Sequence, residues 1–216
     1  MSAQTKIISI LLADDHLLAR QGCRSILEKV PDMKIVGEAQ DGDEVKLLVE
    51  RLRPQILLLD LKMPKLSPAA LEEWVRTNYP ETATLILTGH DRDFYLSTMM
   101  DAGAAGYFDK KIRAGQLVSA IRHAARGEFL FDAEQIERVR QWREETGNKL
   151  DSLSKREREV LQILTEGADN YAIAASLDIA INTVEKHLTS IYKKLGVASR
   201  MEATLWWLEK GGDFRN

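Results

Sequence analysis

Over roughly the first 125 residues, short apolar runs alternate with longer segments of helical periodicity. The apolar runs are Ile7–Ala13, Lys34–Ala39, Gln55–Leu59, Ala83–Thr88 and Gly106–Phe108. Between and after them lie His16–Val30, Asp43–Leu52, Pro68–Asn78, Asp91–Ala102 and Ala114–Arg126, each with apolar positions recurring on one helical face. Repeated strand–helix pairs predict a parallel sheet, because each crossover carries the chain back to the same edge. The unbroken Ile56-Leu57-Leu58-Leu59 run reads as a central strand buried on both faces. Gly127 is placed to end the last helix of this part.

The pattern then changes. Residues 128–152 read as a linker holding one charged helical segment, Ala133–Glu145, before the polar Thr146-Gly147-Asn148-Lys149. From Leu153 onward no strand-like run remains. Four short amphipathic helices follow, with clear start signals. Ser154 with Glu157 and Ser199 with Glu202 have capping-box spacing, and Asn182 with Glu185 repeats the logic. The segment Tyr171–Leu177, the turn Asp178–Ile181 and the segment Thr183–Leu195 read as helix, turn, helix. Val184, Leu188, Ile191 and Leu195 form one buried stripe on the last of these, leaving Glu185, Lys186, Thr189 and Lys193 on the opposite face. Such a unit lays its second helix in the DNA major groove. The expected architecture is therefore α/β, a five-stranded doubly wound parallel sheet over 1–127, then a small all-α four-helix unit over 153–216.

Composition adds limits. With 44% hydrophobic and 29% charged residues the chain has an ordinary globular makeup. No run approaches the ~20 apolar residues of a membrane span, Met1–Lys6 has no signal-peptide layout, and Cys23 is the only cysteine. The expectation is a cytoplasmic protein without a membrane partner. The formal charge is −3, and residues 149–216 carry 10 basic and 10 acidic side chains. A net-neutral helical unit predicts weak non-specific DNA binding and reliance on dimerisation.

Candidate chemistry sits at the strand ends. Asp14 and Asp15 close the first strand and Asp60 the third. In a sheet of order 2-1-3-4-5 the ligand crevice opens where the order reverses, between strands 1 and 3. Three carboxylates meeting there call for a divalent cation, and an all-oxygen set with open positions suits Mg²⁺. Thr88 ends the fourth strand and Lys110 follows the fifth. A hydroxyl and an ammonium so placed can bind an anion developing on Asp60, such as a phosphoryl group.

These residues resemble the receiver domain of two-component response regulators over about 7–126. The match rests on the Asp14-Asp15 pair, Asp60 with Met63-Pro64 after it, Thr88, and Gly106-Tyr107 ahead of Lys110. The resemblance implies a flavodoxin-like receiver with Asp60 as phospho-acceptor. It implies Mg²⁺ bound by Asp15, Asp60 and the Lys62 backbone carbonyl, with Asp14 acting through water. Thr88 would swing toward the phosphoryl group and Tyr107 would rotate inward. Pro68, Gly89 and Lys111 depart from the usual receiver pattern without removing a site group.

The chain from about 150 to 210 resembles the LuxR-type DNA-binding domain of the NarL/FixJ regulators, most visibly in Thr183-Val184 with His187 and in Lys194-Leu195-Gly196-Val197. That likeness implies DNA contacts by Asn182, Thr183, Glu185, Lys186, Thr189, Lys193 and Lys194, and a dimerising last helix carrying Trp206 and Trp207. The two resemblances imply a non-enzymatic DNA-binding response regulator, phosphorylated by a cognate sensor histidine kinase and dimeric on double-stranded DNA when active. Two alternatives use the same residues. One is a regulator that works without phosphorylation. The other is a phosphohydrolase with Asp60 as nucleophile, for which only His16 and His90 lie near enough to serve as acid or base.

Overall fold

A computed structural model describes residues 7–89 and 91–208. His90 and the chain termini, including the first six residues, lie outside the described residues. The chain divides into two compact units, residues up to 91 with 95–135, and residues 92–94 with 136 onward.

The first unit is built on a parallel sheet of order β2-β1-β3-β4-β5. Its strands are β1 (Ile8–Ala13), β2 (Met33–Ala39), β3 (Ile56–Leu59), β4 (Ala83–Thr88) and β5 (Gly106–Asp109). The helices are α1 (Leu17–Leu27), α2 (Gly42–Leu52), α3 (Pro68–Asn78), α4 (Asp93–Ala102) and α5 (Ala114–Ala124). β3 is buried at every residue, as its apolar run requires. Ile10, Leu12, Ile56 and Leu58 share one face of the sheet with Leu117 and Ile121 of α5.

The helix ends follow local chemistry. Asp41 caps α2, its carboxylate accepting from the Glu44 amide at 2.9 Å. Pro68 occupies the first turn of α3, where its missing N–H costs nothing. α1 is shorter than its periodicity predicts: it starts at Leu17 and ends at Leu27, so His16 falls at the cap and Val30 in the turn into β2.

The loop after β3 is held by close backbone approach. The Gly42 amide donates to the Pro64 carbonyl at 3.0 Å. A Cβ at Gly42 would sit 2.3 Å from the Lys65 carbonyl oxygen. Only glycine lets α2 start this close to the loop that follows Asp60.

Helix α6 (Ala133–Trp142) leads through a π-type turn at Arg143–Gly147 into α7 (Asn148–Asp151). The helical segment thus runs beyond the predicted Ala133–Glu145 through the polar Thr146–Lys149. Thr146 and Gly147 are buried, and Gly147 keeps helical dihedrals with φ −58°, so the backbone stays bonded where composition suggested release.

The second unit's helices α8 (Lys155–Thr165), α9 (Asn170–Leu177), α10 (Ile181–Leu195) and α11 (Arg200–Trp206) close around Val160, Leu161, Ile173, Val184, Leu188 and Ile191. Ser154 and Glu157 form the predicted capping box. Asp178 takes the left-handed conformation, φ 51°, and turns the chain between α9 and α10. Ala180, not Asn182, is the N-cap of α10, and Asn182 lies inside the first turn. The turn residue at 178 fixes where the helix begins, and its effect precedes any capping by Asn182.

Candidate functional site

Backbone pairing assembles the crevice. The Asp14 amide donates to the Ala39 carbonyl at 3.1 Å and the Asp60 amide to the Ala13 carbonyl at 2.8 Å, locking the carboxyl ends of β1 and β3 side by side. On the other flank the Lys110 amide donates to the Thr88 carbonyl at 3.0 Å. These contacts bring Asp14, Asp60, Thr88 and Lys110 to one end of the sheet. The alternating strand–helix pattern predicts that convergence.

The side chains meet there. Asp14 is 8% exposed and Asp60 3%. The Lys110 ammonium lies 2.7 Å from Asp14 Oδ2 and 2.8 Å from Asp60 Oδ2. Burial pulls the lysine pKa down, but the hydrogen bonds to Asp14 and Asp60 outweigh it, so the group is held above its ordinary value and stays charged. Asp60 Oδ1 is buried and has no hydrogen-bonding partner. A buried carboxylate oxygen left unmatched is costly. Ligand atoms of Asp14, Asp15, His16 and Asp60 lie within 4.8 Å of one another. That donor set is hard and oxygen-rich, and it fits a divalent cation of the Mg²⁺ type.

The remaining receiver positions lie close by. Thr88 is fully buried at the end of β4. Tyr107, opposite Ile86 in the β4–β5 register, is 1% exposed. Its ring is already inside, so the expected outward starting position is not the one seen. Lys62 is half-buried in the loop two residues beyond Asp60.

Arg20 escaped the sequence reading of this site, and His16 entered it only as a possible acid or base. His16 Nδ1 lies 2.8 Å from Asp15 and 3.3 Å from Asp14, and the His16 amide donates to Asp14 Oδ1 at 2.9 Å. Arg20, which unlike His16 is buried, donates to the Asp14 carbonyl and pairs with Glu38 at 3.2 Å. The available signal was position: His16 adjoins the carboxylate pair, and Arg20 follows one helical turn later.

In the second unit Asn182, Glu185, Lys186, Thr189 and Lys193 are exposed on α10, and Thr183 is half-buried. Lys194 departs from the expected phosphate contact. Its ammonium is 2.7 Å from Glu157 Oε2, and Ser190 donates to Glu157 Oε1 at 2.6 Å. A lysine that satisfies a buried carboxylate is committed to the fold. Trp207 also departs from expectation. It is 2% exposed, and its indole N–H donates to Gln162 at 3.3 Å. The burial that an indole gains against α8 removes it from the surface, leaving half-buried Trp206 as the tryptophan of α11 open to a partner.

Comparison with known proteins agrees with both halves. Residues 10–122 match the model of the response regulator receiver domain, and residues 151–207 match bacterial regulatory proteins of the luxR family. The oxygen regulatory protein NreC of Staphylococcus aureus (strain JH9) is 36% identical over 212 residues, covering 94% of this chain and 98% of NreC. The transcriptional regulatory protein LiaR of Bacillus subtilis (strain 168) is 32% identical over 203 residues, covering 93% and 96%. The RcsB response regulator of Salmonella typhimurium, solved in a study of its DNA interaction, matches with a TM-score of 0.57 at 25% identity over 94% of this chain and 98% of RcsB. The chain belongs to the two-component response regulators that join a receiver domain to a LuxR-type DNA-binding domain.

Proposed function

We propose that Asp60 accepts a phosphoryl group from a cognate sensor histidine kinase or a small acyl phosphate, and that the modified chain binds a two-fold DNA site as a dimer. The observation that carries this reading is the buried Asp60 carboxylate, its Oδ2 held at 2.8 Å by the Lys110 ammonium and its Oδ1 unpartnered. In the transfer a bond from phosphorus to the donor breaks while a bond from phosphorus to an Asp60 oxygen forms. Asp15, Asp60 and the Lys62 carbonyl would hold Mg²⁺ directly, with Asp14 through water. Bound there, the ion supplies positive charge against the phosphoryl oxygens.

Lys110 leaves its pairing with Asp60 and engages the phosphoryl group, and the Thr88 hydroxyl donates to a second oxygen. The acyl phosphate adds about −1.5 to −2 charges at pH 7. That charge biases β4, β5 and the neighbouring helix toward the active population. On DNA, Asn182, Thr183, Glu185, Lys186 and Thr189 face base edges, and Lys193 faces phosphate. Trp206 supports pairing of the two α11 helices.

Mass spectrometry of the full chain after incubation with acetyl phosphate and Mg²⁺ tests the proposal. Wild type gains one phosphoryl group on Asp60, and Asp60→Ala gains none. Labelling at another residue in the variant, or an unlabelled wild type that still binds its DNA, removes Asp60 from the role.

A further inference from the structure

A buried arginine stands beside the phosphoryl site. Arg20 and Leu27 are the buried positions of α1, two turns apart on one face, and Arg20 is only 5% exposed. It borders a small internal space shared with Ala13, Asp14, Cys23 and Asp60. A guanidinium so enclosed is costly unless its donors are met. Nη1 donates to the Asp14 backbone carbonyl, and Nε donates to Glu38 Oε2 at 3.2 Å. Glu38 lies on β2 opposite Leu12 of β1, and its other oxygen accepts from Arg24 Nε at 2.8 Å. Two arginines one turn apart on α1 thus fix Glu38, and from that fixed point Arg20 reaches the end of β1.

The carbonyl that Arg20 holds belongs to the peptide joining Asp14 to Asp15. The orientation of that peptide sets ψ of Asp14 and φ of Asp15, and with them the angle between the two carboxylate side chains. Asp14 has a second restraint, because its Oδ1 accepts from the His16 amide at 2.9 Å. Asp15 is exposed, so packing leaves its direction to the backbone.

We propose that Arg20 is a positioning residue for the metal-dependent transfer, holding the Asp14–Asp15 peptide so that both carboxylates stay in register for Mg²⁺; this rests on the phospho-acceptor reading of Asp60. Charge alone would act in the opposite direction. Arg20 is a cation near the site, so a purely Coulombic role predicts tighter Mg²⁺ binding once that charge is removed. A positioning role predicts weaker binding, as for other outer partners that orient metal ligands.

Titration of the ¹⁵N-labelled full chain with MgCl₂, read at the amide resonances of Asp15 and Lys62, tests this. Arg20→Gln should weaken Mg²⁺ binding roughly tenfold. Arg20→Lys keeps the charge, but one ammonium cannot reproduce the planar fork, so it should weaken binding by a smaller factor. Ile121→Val, a core change on α5, should lower stability in urea and leave the Mg²⁺ affinity unchanged. In acetyl phosphate labelling, Arg20→Gln should raise the Mg²⁺ concentration at half-maximal rate and keep most of the rate at saturation. Should Arg20→Gln fail to fold, Arg20→Lys decides the matter. Unchanged affinity in Arg20→Lys, tighter binding in Arg20→Gln or an equal loss in Ile121→Val overturns this inference alone. A wild type that takes up no Mg²⁺ at millimolar levels overturns the phospho-acceptor reading together with it.

Discussion

Glu157 shows how much one side chain can be asked to do. It completes the cap of α8 through the Ser154 amide at 2.7 Å, and it accepts from Ser190 and Lys194 of α10. Burial alone would raise its pKa. The bonds from Lys194, Ser190 and Ser154 overcome that and hold the carboxyl down at about 2. A group depressed in the folded state contributes stability that is present above its unfolded pKa and lost as pH falls through the folded one. Glu157→Gln should therefore cost roughly 1–3 kcal/mol at neutral pH. The gap to wild type should shrink as pH falls from about 4.5 toward about 2. Urea unfolding of both proteins across that range measures it. The same contacts explain why Lys194 could not be assigned from sequence: its position on α10 suits a phosphate contact, and only the packing of α8 reveals the carboxylate beneath it.

At the scale of elements, the strands were the most legible part. A four-residue run such as Ile56–Leu59 with no polar position admits little besides a strand covered on both faces. The strand ends then place Asp14, Asp60, Thr88 and Lys110 together without any knowledge of side-chain packing. The contacts of His16 with Asp14 and Asp15, and the whole role of Arg20, were not legible, because they depend on how α1 rolls against β1 and β2. The helix predicted over Ala133–Glu145 extends further for a related reason: Thr146 and Gly147 are buried, and burial favours keeping their backbone bonded inside a helical turn.

The start of α2 permits a direct test of element placement. Gly42→Ala would drive a methyl group into the Lys65 carbonyl, a backbone atom that cannot rotate away. It should cost roughly 1–3 kcal/mol in denaturant unfolding, and slow Asp60 labelling by shifting the loop that carries Lys62. Stability equal to wild type would contradict the close approach.

For the whole molecule, the charge balance shapes how DNA is found. The net charge is −3, and the helical part carries no excess of basic residues. With Lys194 held by Glu157, the proposed dimer keeps one α10 lysine per chain, Lys193, for phosphate. Two such lysines predict a slope of log K against log salt near −2, at about −0.9 per contact. Lys193→Ala should flatten it to near zero in a dimer carrying two such changes. Fluorescence anisotropy over a series of salt concentrations reads both values. A slope much steeper than this would mean that basic groups beyond α10 touch the backbone. No helix among the described residues is long and apolar enough to cross a membrane.

The interior indole of Trp207 has a practical consequence. Enclosed by the helices of the second unit and bonded to Gln162, it is a natural optical probe built into the DNA-binding half. Loosening of that half admits water to the ring and reddens its emission; with Trp74 of the first unit replaced by phenylalanine, the melting of the second unit can be followed by light within the full chain, with no dye attached.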